Sequence, residues 1–385
     1  MLNQALGGPA IGDAFFDRDH ETTAYWRGLA TDNLLLLAPR RVGKTSVMKR
    51  MEQQSRELGD MGLIPVFLDV SACGSEMSFV EELYRAVLAG SPDSLVWNRI
   101  QESGLGKFVR RVSKLGVTGL TLELVPGDTH WERLGEELAQ VLSTMERRWL
   151  ILIDELPVFL LRRLGQDETE NRQRIKNFLY WLRRLRQEYR SVRWLLAGSV
   201  GLDTVARRLR ISDSINDLLV VTLDAFDART ADAFLEELAK SYNVNLTPEV
   251  RRYIVQRSGW PLPYFLQLVF GELRNVQKPV AVSDVDAAVA VLLDVAHRNY
   301  FAHWDERLDD ELGRPDAGYA KAILNTCCRA PEGASHSVID AALSASMLEP
   351  GAREERLRAL LDVLERDGYL IERDFRWLFR FPLLR

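Results

Sequence analysis

Short apolar runs alternate with longer amphipathic stretches over the first two-thirds of the chain. Continuous apolar runs without strict alternation are typical of strands buried on both faces of a parallel sheet, so the pattern predicts an α/β fold. The candidate strands are 34–38, 64–70, 149–153, 193–197 and 218–223, and the candidate helices between them are 44–57, 78–89, 130–147, 168–190 and 202–208. The segment of about 91–129 fits no simple βα unit, and we expect it to form an insertion on one side of the sheet.

The strand pattern ends near residue 228, and helical spacing follows. One helix is expected in TADAFLEELAKSYNV, residues 230–244. A second should begin after Thr247, a good capping residue, with Pro248 in its first turn. A third is expected from about 282 to 300. These segments predict an all-helical region.

The last part of the chain has a different order of elements. Three helical segments are expected at about 318–328, 335–346 and 352–366, followed by two short strands around a polar turn at 373–375. Three helices and a hairpin in this order are typical of a winged helix. We therefore expect a core of residues 1–227, a helical lid of 228–300 and a winged-helix domain of 301–385.

The composition is that of a folded protein, and we expect it in the cytoplasm. The 385 residues carry a net charge of −5 and 46% of them are hydrophobic, which excludes a largely disordered chain and a protein that coats nucleic acid by bulk positive charge. The three cysteines include the neighbours Cys327 and Cys328 and have no metal-ligand spacing, so we expect no disulfide scaffold. No apolar run approaches the roughly 20 residues that span a bilayer, and the N-terminus lacks the pattern of a secretion signal.

The clearest chemical signal is LLLLAPRRVGKTS, residues 34–46. A strand ends here, a short loop follows, and a helix begins, so that free backbone N–H groups and the helix dipole can bind phosphate. Lys44 would reach the β- and γ-phosphates of a nucleotide, and the Thr45 hydroxyl would bind Mg²⁺. Ala38 replaces the first glycine of GxxxxGK[ST], but Gly43, next to the phosphates, is present. The predicted nucleotide-binding residues of this phosphate loop are Ala38, Pro39, Arg40, Arg41, Val42, Gly43, Lys44, Thr45 and Ser46.

A second motif, Trp149-Leu-Ile-Leu-Ile-Asp154-Glu155, ends a strand with two carboxylates. Asp154 is predicted to hold the Mg²⁺ shell and Glu155 to orient and deprotonate the attacking water. The alternative is a buried strand that ends in surface acids. Ser199, after the next strand, would reach the same sheet edge and bind the γ-phosphate or that water, although a serine there also suits a turn.

With these motifs in place, the chain resembles the AAA+ superfamily and, within it, the STAND class and its archaeal-type ATPase family. FFDRDHE (15–21) is similar to the motif of aromatic, Arg and Glu before the first strand, and SGWPLPYFLQLV (258–269) is similar to the Gly-x-Pro motif of the lid. The resemblance implies an AAA+ (ASCE) P-loop NTPase core, an all-α lid, a C-terminal winged helix, and ATP or ADP with Mg²⁺ as ligands. It also implies that Pro261 lies against the base, whereas the residues alone indicate a helix-breaking turn.

The same resemblance implies a slow ATPase that acts as a molecular switch. Nucleotide state would control what the lid and the winged helix touch, and the partner would be another protein or a second copy of the chain. No lid arginine can be assigned as a second phosphate sensor. Arg207, Arg208 and Arg210 lie where an arginine finger for a neighbouring subunit would lie, with a solvated helix end as the alternative.

Basic charge is concentrated beside the predicted site and not at the C-terminus. Residues 157–215 hold 13 Lys and Arg against 6 Asp and Glu, whereas residues 300–385 hold 12 against 16. A winged helix that reads DNA needs basic residues on its third helix or hairpin, so we expect protein contacts there. If DNA is bound, the stretch 157–215 is the better candidate, because Arg183, Arg184, Arg186 and Arg190 crowd one side of its helix; a solvated face is the alternative.

Two other functions stay open on the sequence. One is an ATP-regulated DNA-binding protein that resembles origin-binding or transposition ATPases. The other is a nucleotide-stabilised scaffold without turnover.

Overall fold

A computed structural model describes residues 1–58, 62–90, 98–100, 102, 131–162, 168–198, 201–276, 278–297, 299–344 and 350–382. The chain forms two compact units. The sheet unit comprises Arg18–Leu37 and Val47–Thr222, and the lid unit comprises Met1–Asp17, Ala38–Ser46 and Leu223–Arg385. The predicted insertion of about 91–129 lies almost entirely outside the described residues.

Five parallel strands form the sheet unit's central layer. They are β1 (Asn33–Leu37), β2 (Leu63–Asp69), β3 (Arg148–Asp154), β4 (Val192–Ala197) and β5 (Leu218–Thr222), in the spatial order β2-β3-β4-β1-β5. Leu35 of β1 lies opposite Leu196 and Val220 in the register. The residues of β3 from 149 to 153 are fully buried, as the continuous apolar run predicts. All five predicted strands are confirmed.

Helices cover this sheet and bring an aromatic cluster to its core. They are α1 (Asp19–Thr31), α2 (Lys44–Leu58, whose first three residues belong to the lid unit), α3 (Glu76–Gly90), α4 (Trp131–Ser143), α5 (Leu156–Leu161), α6 (Glu168–Glu188) and α7 (Leu202–Arg208). Phe79 and Phe178 meet edge to face with ring centroids 4.9 Å apart, and Trp131 meets Trp181 in the same way at 4.8 Å. Such pairs add to the free energy gained by burying apolar area.

The part of the lid unit between residues 228 and 312 is helical. Its first helices are α8 (Ala228–Ser241), α9 (Pro248–Ser258), α10 (Pro263–Leu273), α11 (Val282–Leu292) and α12 (Asn299–Leu312). The helix predicted from 282 to 300 begins where expected, but its predicted end is wrong, because α11 stops at Leu292 and a short 3₁₀ turn precedes α12. Asp294 accepts the Ala296 N–H at 3.0 Å, and a ring nitrogen of His297 bonds the Val291 carbonyl at 2.8 Å. These local bonds compete with the helix.

The C-terminal part of the lid unit has the order of a winged helix. It consists of α13 (Asp316–Arg329), β6 (Ala334–Ser335), α14 (His336–Leu343), α15 (Pro350–Arg366), β7 (Leu370–Arg373) and β8 (Arg376–Phe379), with an antiparallel sheet ordered β6-β8-β7. Asp374 and Phe375 both have positive φ at the hairpin turn, which matches the right-handed twist of the strands. Because α12 runs through residues 300 and 301, it crosses the predicted boundary between lid and winged helix; the domain division itself stays a prediction.

Among the described residues, no helix is both long enough and apolar enough to span a membrane. In the same part of the chain, no three or more His, Cys, Asp or Glu side chains come together as a metal cluster.

Gly135 allows α4 and α6 to approach closely, since an added Cβ would overlap the Trp181 ring. Trp181 is also fixed by its Nε1, which donates to the Glu132 carbonyl at 3.1 Å. We expect Gly135→Ala to lower the free energy of unfolding by about 1–3 kcal/mol, measured by urea denaturation, because overpacking outweighs the gain in helix propensity. Gly74→Ala is the control, since its Cβ would enter open space in the same unit. An equal effect of both changes would contradict the packing argument.

Candidate functional site

The phosphate loop joins β1 to α2 through a tight turn. β1 ends at Leu37 and α2 begins at Lys44, while Val42 is buried and holds the loop in place. Arg41 and Gly43 have φ values of 65° and 103°. Only glycine adopts the second value without strain, so Gly43 is required by the shape of the loop.

Lys44 lies at the first position of α2 with only 7% of its surface exposed. Its Nζ donates to the carbonyl oxygens of Ala38 at 2.8 Å and Pro39 at 3.0 Å. The loop therefore curls around a nearly buried cation at a helix N-terminus, which is an environment suited to an anion.

The N-terminal segment is tied to the same helix start. The Ala10 N–H donates to Ser46 Oγ at 2.9 Å. Further towards the N-terminus, Gln4 Nε2 donates to the Gln267 carbonyl at 2.6 Å, and Gln267 Oε1 accepts the Ala5 N–H. Residues 1–10 therefore link α10 of the lid to the phosphate loop. Thr45, the predicted Mg²⁺ ligand, is half-buried.

The predicted carboxylates lie at the carboxyl end of β3, in the sheet unit. Asp154 is 1% exposed, and its Oδ1 accepts the N–H of Glu155 at 3.0 Å. Glu155 has φ 58° and directly precedes α5. A left-handed conformation costs a non-glycine residue roughly 1–2 kcal/mol, and such strain is concentrated at functional sites.

A third carboxylate at this edge was missed by the sequence reasoning. Asp69 ends β2 and lies opposite Asp154 in the register. Its side chain is exposed and accepts the Ser71 N–H at 2.8 Å. Its signal was the same as that of Asp154, an acid directly after a buried apolar run.

The predicted lid motif forms a turn between α9 and α10. Gly259 ends α9 with φ 69°, and the Pro261 carbonyl accepts the Phe226 N–H at 3.2 Å. The turn expected from the residues alone is therefore present. The contact of Pro261 with a nucleotide base stays a prediction.

Trp260 of this turn is held by Asp224, Gly368 and Arg380, which are distant in sequence. We call these four residues the Trp260 clasp. The indole Nε1 donates to Asp224 Oδ1 at 3.1 Å, and the Arg380 guanidinium lies 4.1 Å above the ring. Arg380 also pairs with Asp224 at 3.2 Å. An added Cβ on Gly368 would overlap the indole and lie 3.6 Å from Pro39 Cβ. The clasp therefore brings the lid turn, the C-terminal hairpin and the phosphate loop together.

The motif FFDRDHE before β1 contributes one ion pair and one aromatic cluster to the fold. Arg18 is buried and pairs with Glu21 at 2.7 Å in the sheet unit. In the lid unit, Phe16 packs against Phe226 and Phe234 with ring centroids 6.1 and 5.2 Å away.

Of the α6 arginines that the sequence places on one side of the helix, Arg184 is exposed and Arg183 is half-buried, but Arg186 does not lie at the surface. Arg186 is only 2% exposed, its guanidinium binds Asp217 in a bidentate pair at 2.8 and 2.9 Å, and it donates to the Ser214 carbonyl. Its placement on the exposed side was therefore wrong. Arg184 pairs with Glu136, and Arg183 lies 4.0 Å from Asp217.

The third helix of the winged helix, α15, has its arginines engaged in the same way. Arg353 pairs with Asp340 at 2.6 Å, and this contact holds the pKa of the Asp340 carboxyl below its usual value. Arg358 pairs with Glu354 at 2.7 Å on its own helix.

The predicted sensor and the predicted arginine finger keep the standing that the sequence gives them. Ser199 lies outside the described residues. Arg207 is 3.6 Å from Asp203 on α7, Arg210 is exposed just after that helix, and the side chain of Arg208 lies outside the described part. Their roles as sensor and finger stay predictions.

No protein-family model matches the chain, and no curated protein matches it either. Among solved structures, a Walker-type ATPase of Pyrococcus abyssi superposes with a TM-score of 0.65 at 21% identity, over 99% of this chain and 97% of that one. The ORC2 protein of Aeropyrum pernix, solved as ADPNP and ADP complexes, superposes with a TM-score of 0.58 at 15% identity, over 97% and 93% of the two chains. At these identities the likeness is one of fold. The chain therefore has the AAA+ fold, with an α/β P-loop core, a helical lid and a C-terminal winged helix.

Proposed function

We propose that this protein binds ATP and hydrolyses it slowly as a switch of the STAND type. The observation that carries the proposal is the nearly buried Lys44 ammonium, enclosed by the carbonyls of Ala38 and Pro39 at the start of α2. Phosphate oxygens would replace or supplement those carbonyls as acceptors, with a full negative charge. The two solved neighbours support this, since one is a Walker-type ATPase and the other holds ADPNP and ADP.

Mg²⁺ prefers oxygen ligands, and each of the two predicted ligand residues carries one. Thr45 would contribute its hydroxyl and the buried Asp154 its carboxylate. When bound, the ion would neutralise charge on the phosphate groups. Glu155 would accept a proton from the attacking water, and its left-handed backbone would set the direction of its Cα–Cβ bond. Pro261 would contact the base.

The Trp260 clasp supplies a physical basis for switching. Pro39 of the phosphate loop lies beside Gly368 and Trp260, and Trp260 is held by Arg380 of the C-terminal hairpin. A change in the conformation of the loop on nucleotide binding would therefore alter the contacts of the lid turn and of the winged helix. The indole packs against Gly368 with no room for a methyl group, and close-packed contacts of this kind change between discrete arrangements and do not deform gradually.

The DNA-binding alternative has less support from the described residues. Carboxylates pair with Arg184 and Arg186 of α6 and with Arg353 and Arg358 of α15. The fold is shared with an ORC2 protein, so this alternative stays a prediction.

Removal of the lysine ammonium tests nucleotide binding directly. We expect Lys44→Ala to weaken ATP binding about 10- to 100-fold in isothermal titration calorimetry, since hydrogen bonds to charged groups contribute about 1.5–3 kcal/mol each. Lys49→Ala is the control, because Lys49 lies on the same helix but stacks on Phe67 at 3.6 Å. Unaltered affinity and turnover in Lys44→Ala would rule out the proposal.

Exchange of the candidate base separates binding from chemistry. Glu155→Gln should leave ATP affinity within about twofold and lower single-turnover phosphate release by about 10²–10⁴, the usual contribution of a general base. Glu146→Gln, at an exposed position of the same unit, is the control. Loss of binding and release together would indicate a structural role for Glu155. Absence of release from the unmodified protein would favour the scaffold hypothesis.

Filling the space under Trp260 tests the switch. Gly368 has φ 83° and no room for a Cβ, so Gly368→Ala should open the clasp. Amide hydrogen exchange in residues 258–262 and 376–382 should then rise about tenfold or more, because overpacking costs about 1–3 kcal/mol. Gly351→Ala, on α15 with open space around it, is the control. The switch is contradicted if the exchange rises but ADP release keeps its original rate.

A further inference from the structure

The arginines of α8 and α9, and Arg274 at the end of α10, are engaged with other lid residues. Arg251 binds Asp232 and Glu236, and Arg257 binds Asp286. The Nε of Arg252 donates to the Pro248 carbonyl, Arg274 stacks on the Tyr242 ring at 5.1 Å, and Arg229 lies beside the helix cap Asp227. Each of these arginines is thus held within the lid.

The lid contributes an aromatic ring to the loop instead. Tyr264, the second residue of α10, is 9% exposed, and the Arg41 guanidinium lies 4.2 Å from the centre of its ring. Burial raises the pKa of the Tyr264 phenol, against the opposing charge of Arg41. The ring therefore stays neutral and presents its negative face to the cation.

Stacking fixes an arginine without using its hydrogen-bond donors. The guanidinium is planar, and its five N–H groups point outward in that plane, so a ring below it leaves them available. Arg41 is exposed, lies three residues before Lys44, and belongs to the loop that curls around that ammonium. Its left-handed backbone, φ 65°, turns the chain at this residue. A planar cation so placed is suited to a phosphate group, which arginine binds in bidentate fashion.

We propose that Arg41, positioned by Tyr264, donates to the terminal phosphate of a bound nucleoside triphosphate. The inference rests on the proposed nucleotide binding and assigns one further contact within it. The lid senses the terminal phosphate through an arginine carried by the loop, and the lid itself supplies the ring that orients it. A diphosphate lacks the group that Arg41 would bind, so the contact distinguishes the two nucleotides. Arg41 is the residue that touches the ligand, and Tyr264 is a positioning residue.

The test compares the affinities of the non-hydrolysable analogue ADPNP and of ADP by calorimetry. Arg41→Gln should weaken ADPNP binding about 10- to 100-fold while ADP affinity stays within about threefold. The ADPNP affinity of Arg41→Lys should lie between those of the unmodified protein and Arg41→Gln, because an ammonium keeps the charge but loses the bidentate geometry. The control is Arg274→Gln, since Arg274 forms the matching stack on Tyr242 in the same unit. That variant should leave both affinities unchanged.

The positioning role is tested by combining substitutions. Tyr264→Leu should weaken ADPNP binding about two- to fivefold, whereas Tyr264→Phe, which keeps the ring, should bind ADPNP as the unmodified protein does. The double variant Arg41→Gln/Tyr264→Leu should bind ADPNP no worse than Arg41→Gln alone. Additive losses would show that the ring acts independently of Arg41. Equal losses for ADPNP and ADP in Arg41→Gln would mean that Arg41 only shapes the loop. Either result overturns the inference.

The outcomes also separate this inference from the proposed function. If the unmodified protein binds neither nucleotide, both fail. If Lys44→Ala abolishes binding while Arg41→Gln has the ADPNP and ADP affinities of the unmodified protein, only the role of Arg41 fails. Circular dichroism and thermal melting of each variant identify a loss of folding, and the conservative changes Arg41→Lys and Tyr264→Phe keep the comparison available if a harsher variant does not fold.

Discussion

Lys44 places an ammonium group with 7% exposure at the first position of α2, and a cation this deeply buried must be hydrogen-bonded or lose its charge. The carbonyls of Ala38 and Pro39 meet that demand, but only because the loop doubles back after β1. Doubling back requires the positive φ of Arg41 and Gly43. Strand end, loop shape and helix start are therefore consequences of a single requirement, the satisfaction of one buried charge. The same requirement suits the loop to an anion, since a negatively charged ligand would satisfy the ammonium better than two neutral carbonyls do.

Because the loop is shaped around Lys44, its outer surface is available to other parts of the lid unit. Ser46 receives the N-terminal segment through Ala10, and Pro39 lies beside Gly368. These contacts connect the loop to segments that are far away in sequence and that also contact the lid helices. A displacement of the loop by a ligand would therefore act on the lid turn and on the hairpin of the winged helix through side chains already in contact. The lid unit thus has the parts that the proposed switch requires. They are the phosphate loop and the Trp260 clasp, through which the lid turn and the hairpin would respond to the loop.

The sequence predicts those features that depend on neighbouring residues. The five strands follow from continuous apolar runs, and the phosphate loop and the Asp154-Glu155 pair follow from a turn or an acid directly after such a run. Features that depend on distant residues were missed. Helical spacing shows which side of α6 is apolar, but it does not show that the buried Arg186 pairs with Asp217. The Trp260 clasp joins residues 224, 260, 368 and 380, and nothing local to Gly368 indicates the indole that covers it. The break after α11 depends on two short side-chain bonds at Asp294 and His297, which a pattern of apolar positions does not contain.

An arginine on the loop and an aromatic ring on the lid divide phosphate sensing between two elements, and the division has an energetic consequence. Alone, a cation–π contact at the surface is worth about 0.5–1 kcal/mol, which changes a lid equilibrium by only about two- to fivefold. A charged hydrogen bond to a terminal phosphate adds about 1.5–3 kcal/mol and orients the same guanidinium, so the stack and the phosphate contact reinforce each other. The lid would then be weakly held with a diphosphate and firmly held with a triphosphate. A lid arginine that reached the phosphate directly would lack the first, weaker state, because it would have no contact with the loop until the nucleotide arrived. Carrying the arginine on the loop would keep the lid in place during nucleotide exchange, and this suits the proposed switch function better than it would suit rapid turnover.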